Sequence, residues 1–285
     1  MGIAQKIARI PELVKLENSI FVLPFTYIGM FFAGTFTIVQ FLFITLALIA
    51  ARGAAFAANR YLGLKYDRKN PKKTGWSSVS LYSKQDIAVI FVAFAILFMA
   101  SALALNLLAF LLSPIILAIV AFEPFLKKRT AHRHMIMGFV IGLGIIGGYI
   151  GIAGSFPTSP ELYILLLGYM CFSASNDIVY SMSHVAFDRS HGLKTYPTVY
   201  GINKAKRISL YLHLWSSALF IEFGSLTGST IVVLFAALTI PVFIIEDKSL
   251  SNASDKSIGS VFFKYNAVVS LMMLVSVAFL VLLHL

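Results

Sequence analysis

Nine apolar stretches, each near the length that crosses a bilayer, leave this chain little choice of fold: Ser19–Gly34, Thr37–Ala58, Ile87–Ala104, Leu107–Phe122, Met135–Ile152, Leu162–Ile178, Ile208–Phe223, Thr230–Ile245 and Val261–Leu283. A helix needs about 20 residues to span the hydrocarbon core, and a soluble protein of this length has no use for so many such runs. Hydrophobic residues make up 59% of the chain and charged ones 12%, against roughly 45–50% and roughly 25% in soluble domains. The expectation is an all-α polytopic membrane protein forming a single transmembrane domain over residues 1–285. Lys6, Arg9 and Lys15 before the first run resemble the start of a signal peptide, but the run continues through aromatics to Gly34 without a small-residue cleavage site. It reads as a retained span.

Charge orients these spans. With the N-terminus inside, the inner loops hold Arg60, Lys65, Arg68, Lys69, Lys72, Lys73 and Lys84, then Lys127, Lys128, Arg129 and Arg133, then Arg189, Lys194, Lys204, Lys206 and Arg207, then Lys248, Lys256 and Lys264. Together with Lys6, Arg9, Lys15 and Arg52 these are all 23 Lys and Arg, and the outer loops contain none. The positive-inside rule then places the N-terminus in the cytoplasm and the C-terminus outside. The net charge of +11 belongs to one face, where most of these bases orient helices and meet anionic lipid heads. No soluble domain exists to present them to a nucleic acid. The single cysteine, Cys171, lies within a span and excludes an intrachain disulfide.

The longest extramembrane stretch, Arg60–Gln85, is basic and carries the turn signals Asn70-Pro71 and Thr74-Gly75. Two polar clusters close apolar runs on the inner face, where buried polarity is costly and usually functional. Residues three or four apart share a helical face, so Arg52, Asn59, Gly63 and Asp67 form one stripe, and Asp177, Ser181, His184 and Asp188 form another. Solvent-facing helix ends explain either stripe alone. Two similarly oriented halves that each bring acids to the same face suit a shared cavity, although sequence does not show that they meet.

The chemistry that fits is electrostatic. Magnesium takes hard oxygen ligands, typically one or two carboxylates with substrate phosphates and waters. Asp67 and Asp188, with Asn59 and Asp177 nearby, are candidate ligands, and Lys65, Arg68, Lys127, Lys128, Arg189 and Lys194 are candidate partners for the remaining phosphate charge. Metal and bases together would stabilise a departing diphosphate.

Further motifs sharpen this reading. Leu13-Val14-Lys15-Leu16-Glu17 precedes the first span, and Leu23-Pro24-Phe25 lies in it; Ala51-Arg52, Asn59-Arg60, Asp67 and Asn70-Pro71 follow. Lys127-Lys128, Thr130 and His134 come after the fourth span, then Asp177-Ile178-Val179-Tyr180, Phe187-Asp188-Arg189, Gly192-Leu193-Lys194 and Pro197. Over nearly its whole length the chain resembles the UbiA superfamily of intramembrane prenyltransferases, and the second motif resembles the branch that prenylates 4-hydroxybenzoate. The resemblance implies about nine helices around a central lipid-open cavity, with Mg2+ as cofactor and a polyprenyl diphosphate and a small aromatic acceptor as partners. It also implies that Asn59, Asp67, Asp177 and Asp188 serve the metal–diphosphate site, that Lys127, Lys128, Arg189 and Lys194 clamp the diphosphate, and that Arg52 faces the cavity.

The chain departs from the family at Gly63 and His184, where aspartates are expected, and at Glu123, where an aromatic is common. Three accounts compete: the remaining oxygens hold magnesium with water's help, His184 acts as a diphosphate donor or proton carrier, or the protein binds isoprenoid lipid without transferring it. Other residues read as structural: His132 and His134 as interfacial contacts, Met135 and Met137 as packing, Glu17 as capping or interfacial, Glu161 and Glu222 as solvated. Gly138, Gly142, Gly144, Gly147, Gly148 and Gly151 make the fifth span a close-packing face.

Overall fold

The computed structural model describes residues 3–68, 79–251 and 257–283, and among these every regular element is helical. The expected turns at Asn70-Pro71 and Thr74-Gly75, with Lys69, Lys72, Lys73 and Lys256, lie outside the described residues. In chain order the α-helices are α1 (Ile3–Ala8), α2 (Ile10–Leu13), α3 (Leu23–Phe32), α4 (Ile38–Asp67), α5 (Lys84–Leu105), α6 (Leu107–Phe122), α7 (Arg133–Ala153), α8 (Glu161–Met182), α9 (Val185–Ser190), α10 (Tyr196–Tyr200), α11 (Ile202–Leu226), α12 (Thr230–Ser251) and α13 (Ile258–Leu283).

Among the described residues seven helices are long and apolar enough to cross a membrane: α4, α5, α6 with the 3₁₀ turn after it, α7, α8, α12 and α13. The remaining two expected spans differ in kind. The first divides into a 3₁₀ segment, Leu16–Phe21, and the ten-residue α3; Lys15, just ahead of the 3₁₀ segment, adopts a left-handed conformation (φ 46°). The seventh, α11, has 25 residues but a more polar sequence, with Lys204, Lys206, Arg207 and His213 in its first half.

The helices gather into two compact units. The first comprises Met1–Leu23 and Phe36–Leu126. Its core joins Leu13 and Val14 of the N-terminal segment to Ala57 and Leu64 of α4, and to Val79, Tyr82, Ile87 and Ile90 around the start of α5. Ser83 and Asp86 form a reciprocal capping box at that start, and Lys6 reaches Asp86 at 2.7 Å. Helix α4, at 30 residues, is about 45 Å long. That exceeds a hydrocarbon core of about 30 Å, so its C-terminal turns, which carry Asn59–Asp67, extend toward the interface.

The second unit comprises Pro24–Thr35 and Lys127–Leu285. The glycine-rich face of α7 packs as its sequence suggests. A Cβ on Gly138 would sit 2.4 Å from the Met170 carbonyl oxygen on α8, and one on Gly148 would sit 2.1 Å from the Thr26 carbonyl oxygen on α3. Only glycine permits backbones to meet this closely. Deeper in the unit Phe25, Tyr169, Phe172 and Phe220 form a buried aromatic cluster with ring centroids 4.6–6.3 Å apart.

Candidate functional site

The first polar stripe is a true helical face, because α4 stays α-helical through Asp67. Arg52 lies over the Phe56 ring at 5.3 Å, two turns deeper than Asn59. Asp67 is buried, and its Oδ2 accepts a hydrogen bond from Arg60 Nη1 at 2.8 Å, with the two side chains only 5% and 6% exposed. Arg60 also donates through Nε to the Leu13 carbonyl at 3.4 Å. Gly63 opens directly beside the acid: a Cβ there would lie 3.6 Å from Asp67 Oδ2. Lys65 is exposed. Arg68 donates to the Tyr82 carbonyl at 2.8 Å, and the Tyr82 hydroxyl donates to the Lys6 carbonyl at 2.6 Å. Burial, with Glu12 nearby, raises the Tyr82 phenol pKa, which keeps that donor protonated.

The second stripe does not form a single helix, which corrects the expectation. Helix α8 ends at Met182, the amides of Ser183 and His184 bond back three residues to Tyr180 and Ser181, and α9 restarts at Val185. The serine hydroxyls of Ser181 and Ser183 also bond back three residues, to the Ile178 and Tyr180 carbonyls, the local competition that weakens helices at such residues. Asp177 and Ser181 therefore belong to α8, Asp188 to α9, and His184 to the break between them, with its ring 5.0 Å from that of Tyr180.

Asp177 meets two bases from the start of α7. His134 Nδ1 lies 2.5 Å from Asp177 Oδ2, and Arg133 Nη2 lies 3.6 Å from the same oxygen. His134 is fully buried, which corrects its reading as an interfacial contact: the apolar α7 face carries it against α8. Its ring also packs against Tyr196, whose hydroxyl is 3.0 Å from His132 Nδ1. Burial, and then Tyr200, raises the Tyr196 phenol pKa. Lys127 and Lys194 come together through the backbone, the Lys194 amide donating to the Lys127 carbonyl at 2.7 Å. The turn between α9 and α10 is fixed by the Leu193 amide on the Asp188 carbonyl (2.8 Å) and by a Thr195–Thr198 capping box. Lys128, Arg189 and Lys194 are exposed.

Sequence reasoning passed over the partners of the acids: Arg60, Arg133 and His134. Arg60 lies three and seven residues before Gly63 and Asp67, on the stripe already drawn, and that spacing was the available signal. A second buried acid–base pair was also missed. His213 Nδ1 on α11 lies 3.4 Å from Glu246 Oε2 on α12, and its ring stacks on Phe243 at 3.9 Å. A histidine inside an apolar run was the only hint.

Within each unit the oxygens suit a hard divalent cation in kind: Asn59 and Asp67 on the first, Asp177 and Asp188 on the second. Among the described residues no three or more His, Cys, Asp or Glu side chains gather as a cage. Such residues fit an ion that brings much of its own shell as water and phosphate, as magnesium does.

A 4-hydroxybenzoate octaprenyltransferase of Francisella tularensis subsp. novicida is 30% identical over 120 residues, which is 42% of this chain and 41% of that protein. The chain thus aligns with about two fifths of the length of this relative. A UbiA homologue from Aeropyrum pernix, solved in its apo form, superposes with a TM-score of 0.81 at 28% identity, covering 92% of this chain and 98% of the other. A UbiA homologue from Archaeoglobus fulgidus, solved with GPP and Mg2+, shares the fold with a TM-score of 0.72 at 17% identity, over 95% and 99% of the two chains. The UbiA prenyltransferase family profile matches residues 22–268, and the chain is a member of that family.

Proposed function

We propose that this protein transfers a prenyl group from an isoprenoid diphosphate to an aromatic acceptor of the 4-hydroxybenzoate type, at the cytoplasmic side of a cell membrane, as in quinone synthesis. The observation that carries the reading is the basic surface of the second unit, where Arg133 and His134 hold Asp177 and a backbone bond joins the segments of Lys127 and Lys194. Two sequence-distant segments thereby present several cations at the membrane-proximal end of α8, an arrangement suited to a diphosphate whose charge grows as it leaves. The named relatives support the acceptor class, and the solved homologue with GPP and Mg2+ supports the donor class.

In this reading Lys127, Lys128, Arg189 and Lys194 of the second unit hold the diphosphate, and Lys65 and Arg68 are candidate phosphate partners on the first. Asp177 and Asp188 on the second unit, and Asn59 and Asp67 on the first, would offer oxygens to a divalent cation, which when bound withdraws electron density from the phosphate oxygens. The allylic C–O bond breaks with its electron pair leaving on the diphosphate. An aromatic carbon of the acceptor then bonds the allylic carbon, and the ring releases a proton. Arg52, seated over Phe56, would pair with an anionic acceptor. His134 and Arg133 act on Asp177 and keep it oriented.

The test is prenyl transfer by purified protein in lipid, using a labelled polyprenyl diphosphate, a panel of aromatic acids, and magnesium or chelator. Product that is lost in both Asp67→Asn and Asp188→Asn supports the reading. The alternative is a family member that binds isoprenoid lipid without transferring it, favoured by Gly63 and His184. Diphosphate binding without product from any acceptor would select it.

A further inference from the structure

Arg60, Gly63 and Asp67 occupy one face of α4, at offsets of three and four residues. Arg60 and Asp67 are two turns apart, about 10 Å along the axis, yet their side chains meet at 2.8 Å and are both buried. The guanidinium therefore crosses the axial level of residue 63 to reach the acid. Nothing crowds that level: the three atoms nearest a Cβ at Gly63 all belong to the Asp67 carboxyl, at 3.6–3.8 Å, ordinary contact. Glycine is thus not required by packing. What it leaves out is a side chain beside the Asp67 carboxylate.

We propose that Arg60 is the resident counter-ion of Asp67, in the role a divalent cation would otherwise take, and that Gly63 keeps it so by withholding a second carboxylate. The inference rests on reading this helix end as part of a diphosphate site. A lone carboxylate paired with a guanidinium carries no net charge to attract a metal. Drawing Asp67 away would also strand a buried guanidinium, whose other bond in this unit is the long one to the Leu13 carbonyl, and stranded buried charges are strongly unfavourable. A carboxylate at position 63 would reverse the balance, leaving one net negative charge and two acids four residues apart. Affinity for hard cations rises with the number of charged oxygen ligands. The Arg60–Asp67 pair therefore holds no tight divalent cation by itself, and any such ion there enters with the diphosphate.

The test is titration of the protein in lipid with Mn2+ alone, without diphosphate, counting free Mn2+ by electron paramagnetic resonance. Gly63→Asp is expected to bind Mn2+ about tenfold more tightly than wild type. Gly63→Ala should match wild type, and adding Asp67→Asn to Gly63→Asp should remove the gain. If Gly63→Asp does not fold, Arg60→Gln gives the same readout, because releasing Asp67 raises Mn2+ affinity only where Arg60 is its counter-ion. Wild type binding Mn2+ within about twofold of Gly63→Asp, with the binding lost in Asp67→Asn, would overturn the assignment. Failure of wild type to bind a polyprenyl diphosphate, with or without magnesium, would instead overturn the site reading and leave the Mn2+ titrations to judge Arg60.

Discussion

Replacing His134 with alanine should be the most informative single change in the second unit. His134 is fully buried, and its Nδ1 lies 2.5 Å from the Asp177 carboxylate, whose side chain is 18% exposed. A hydrogen bond to a charged group contributes roughly 1.5–3 kcal/mol. Arg133 remains at 3.6 Å from the same oxygen and offsets part of the loss, so we expect His134→Ala to cost about 2 kcal/mol. Asp177→Asn keeps a polar partner for the ring and should cost about 1 kcal/mol. If the two side chains act on each other, the double mutant costs less than the two single changes added together, by about 1 kcal/mol or more. The assay is reversible unfolding in mixed micelles of rising SDS fraction, followed by far-ultraviolet circular dichroism. Costs that add within about 0.5 kcal/mol would refute the coupling and leave His134 as packing against Tyr196.

Other outcomes follow from individual contacts. Gly148→Leu should prevent α3 and α7 from packing, since even a Cβ would lie 2.1 Å from the Thr26 carbonyl oxygen; overpacking typically costs about 1–3 kcal/mol or more, measurable as a lower unfolding midpoint in the same micelles. Tyr82→Phe removes the bond to the Lys6 carbonyl and should cost about 1 kcal/mol with loss of N-terminal protection from proteolysis. Tyr196 has a folded pKa above its ordinary 10.0, so the unfolded chain loses this proton first as pH rises. Its contribution is fully present below pH 10.0 and disappears as pH passes through the folded value. Tyr196→Phe should flatten that alkaline decline in stability, as read from unfolding midpoints on either side of it.

Membrane architecture was legible because it depends on long-range composition. Apolar length alone located α4 to α8, α12 and α13, and the glycine repeat of α7 announced its close contacts. Local boundaries were not legible: the 3₁₀ segment that shortens the helix of the first span, and the serines that end α8 and divert His184 and Asp188 onto separate turns. The first stripe was read correctly since nothing interrupts α4 before Asp67. The acids themselves stood out as carboxylates at the ends of apolar runs. Their partners did not, because Arg60, Arg133 and His134 sit among many bases that serve orientation. Apart from the offsets that put Arg60 on the first stripe, nothing in linear spacing marks which of 23 Lys and Arg turns inward.

Those inward bases bear on the two departures from the family pattern. A buried acid must be paired, metal-bound or neutralised. Asp67 is paired with Arg60, and Asp177 with His134 and Arg133, so these two acids already meet that condition through their own units. A further aspartate at position 63 would add an unbalanced charge beside a pair that is already neutral, and that addition is tolerable only with a cation present. Glycine there is consistent with a helix end stable before any ligand arrives. Histidine at position 184, at a break in the helix, adds no fixed negative charge to the second unit either. The substitutions and the inward bases thus express one electrostatic condition: Asp67 and Asp177 each meet a base of their own unit without metal, and the exposed bases Lys65, Lys128, Arg189 and Lys194 are left to meet an incoming polyanion.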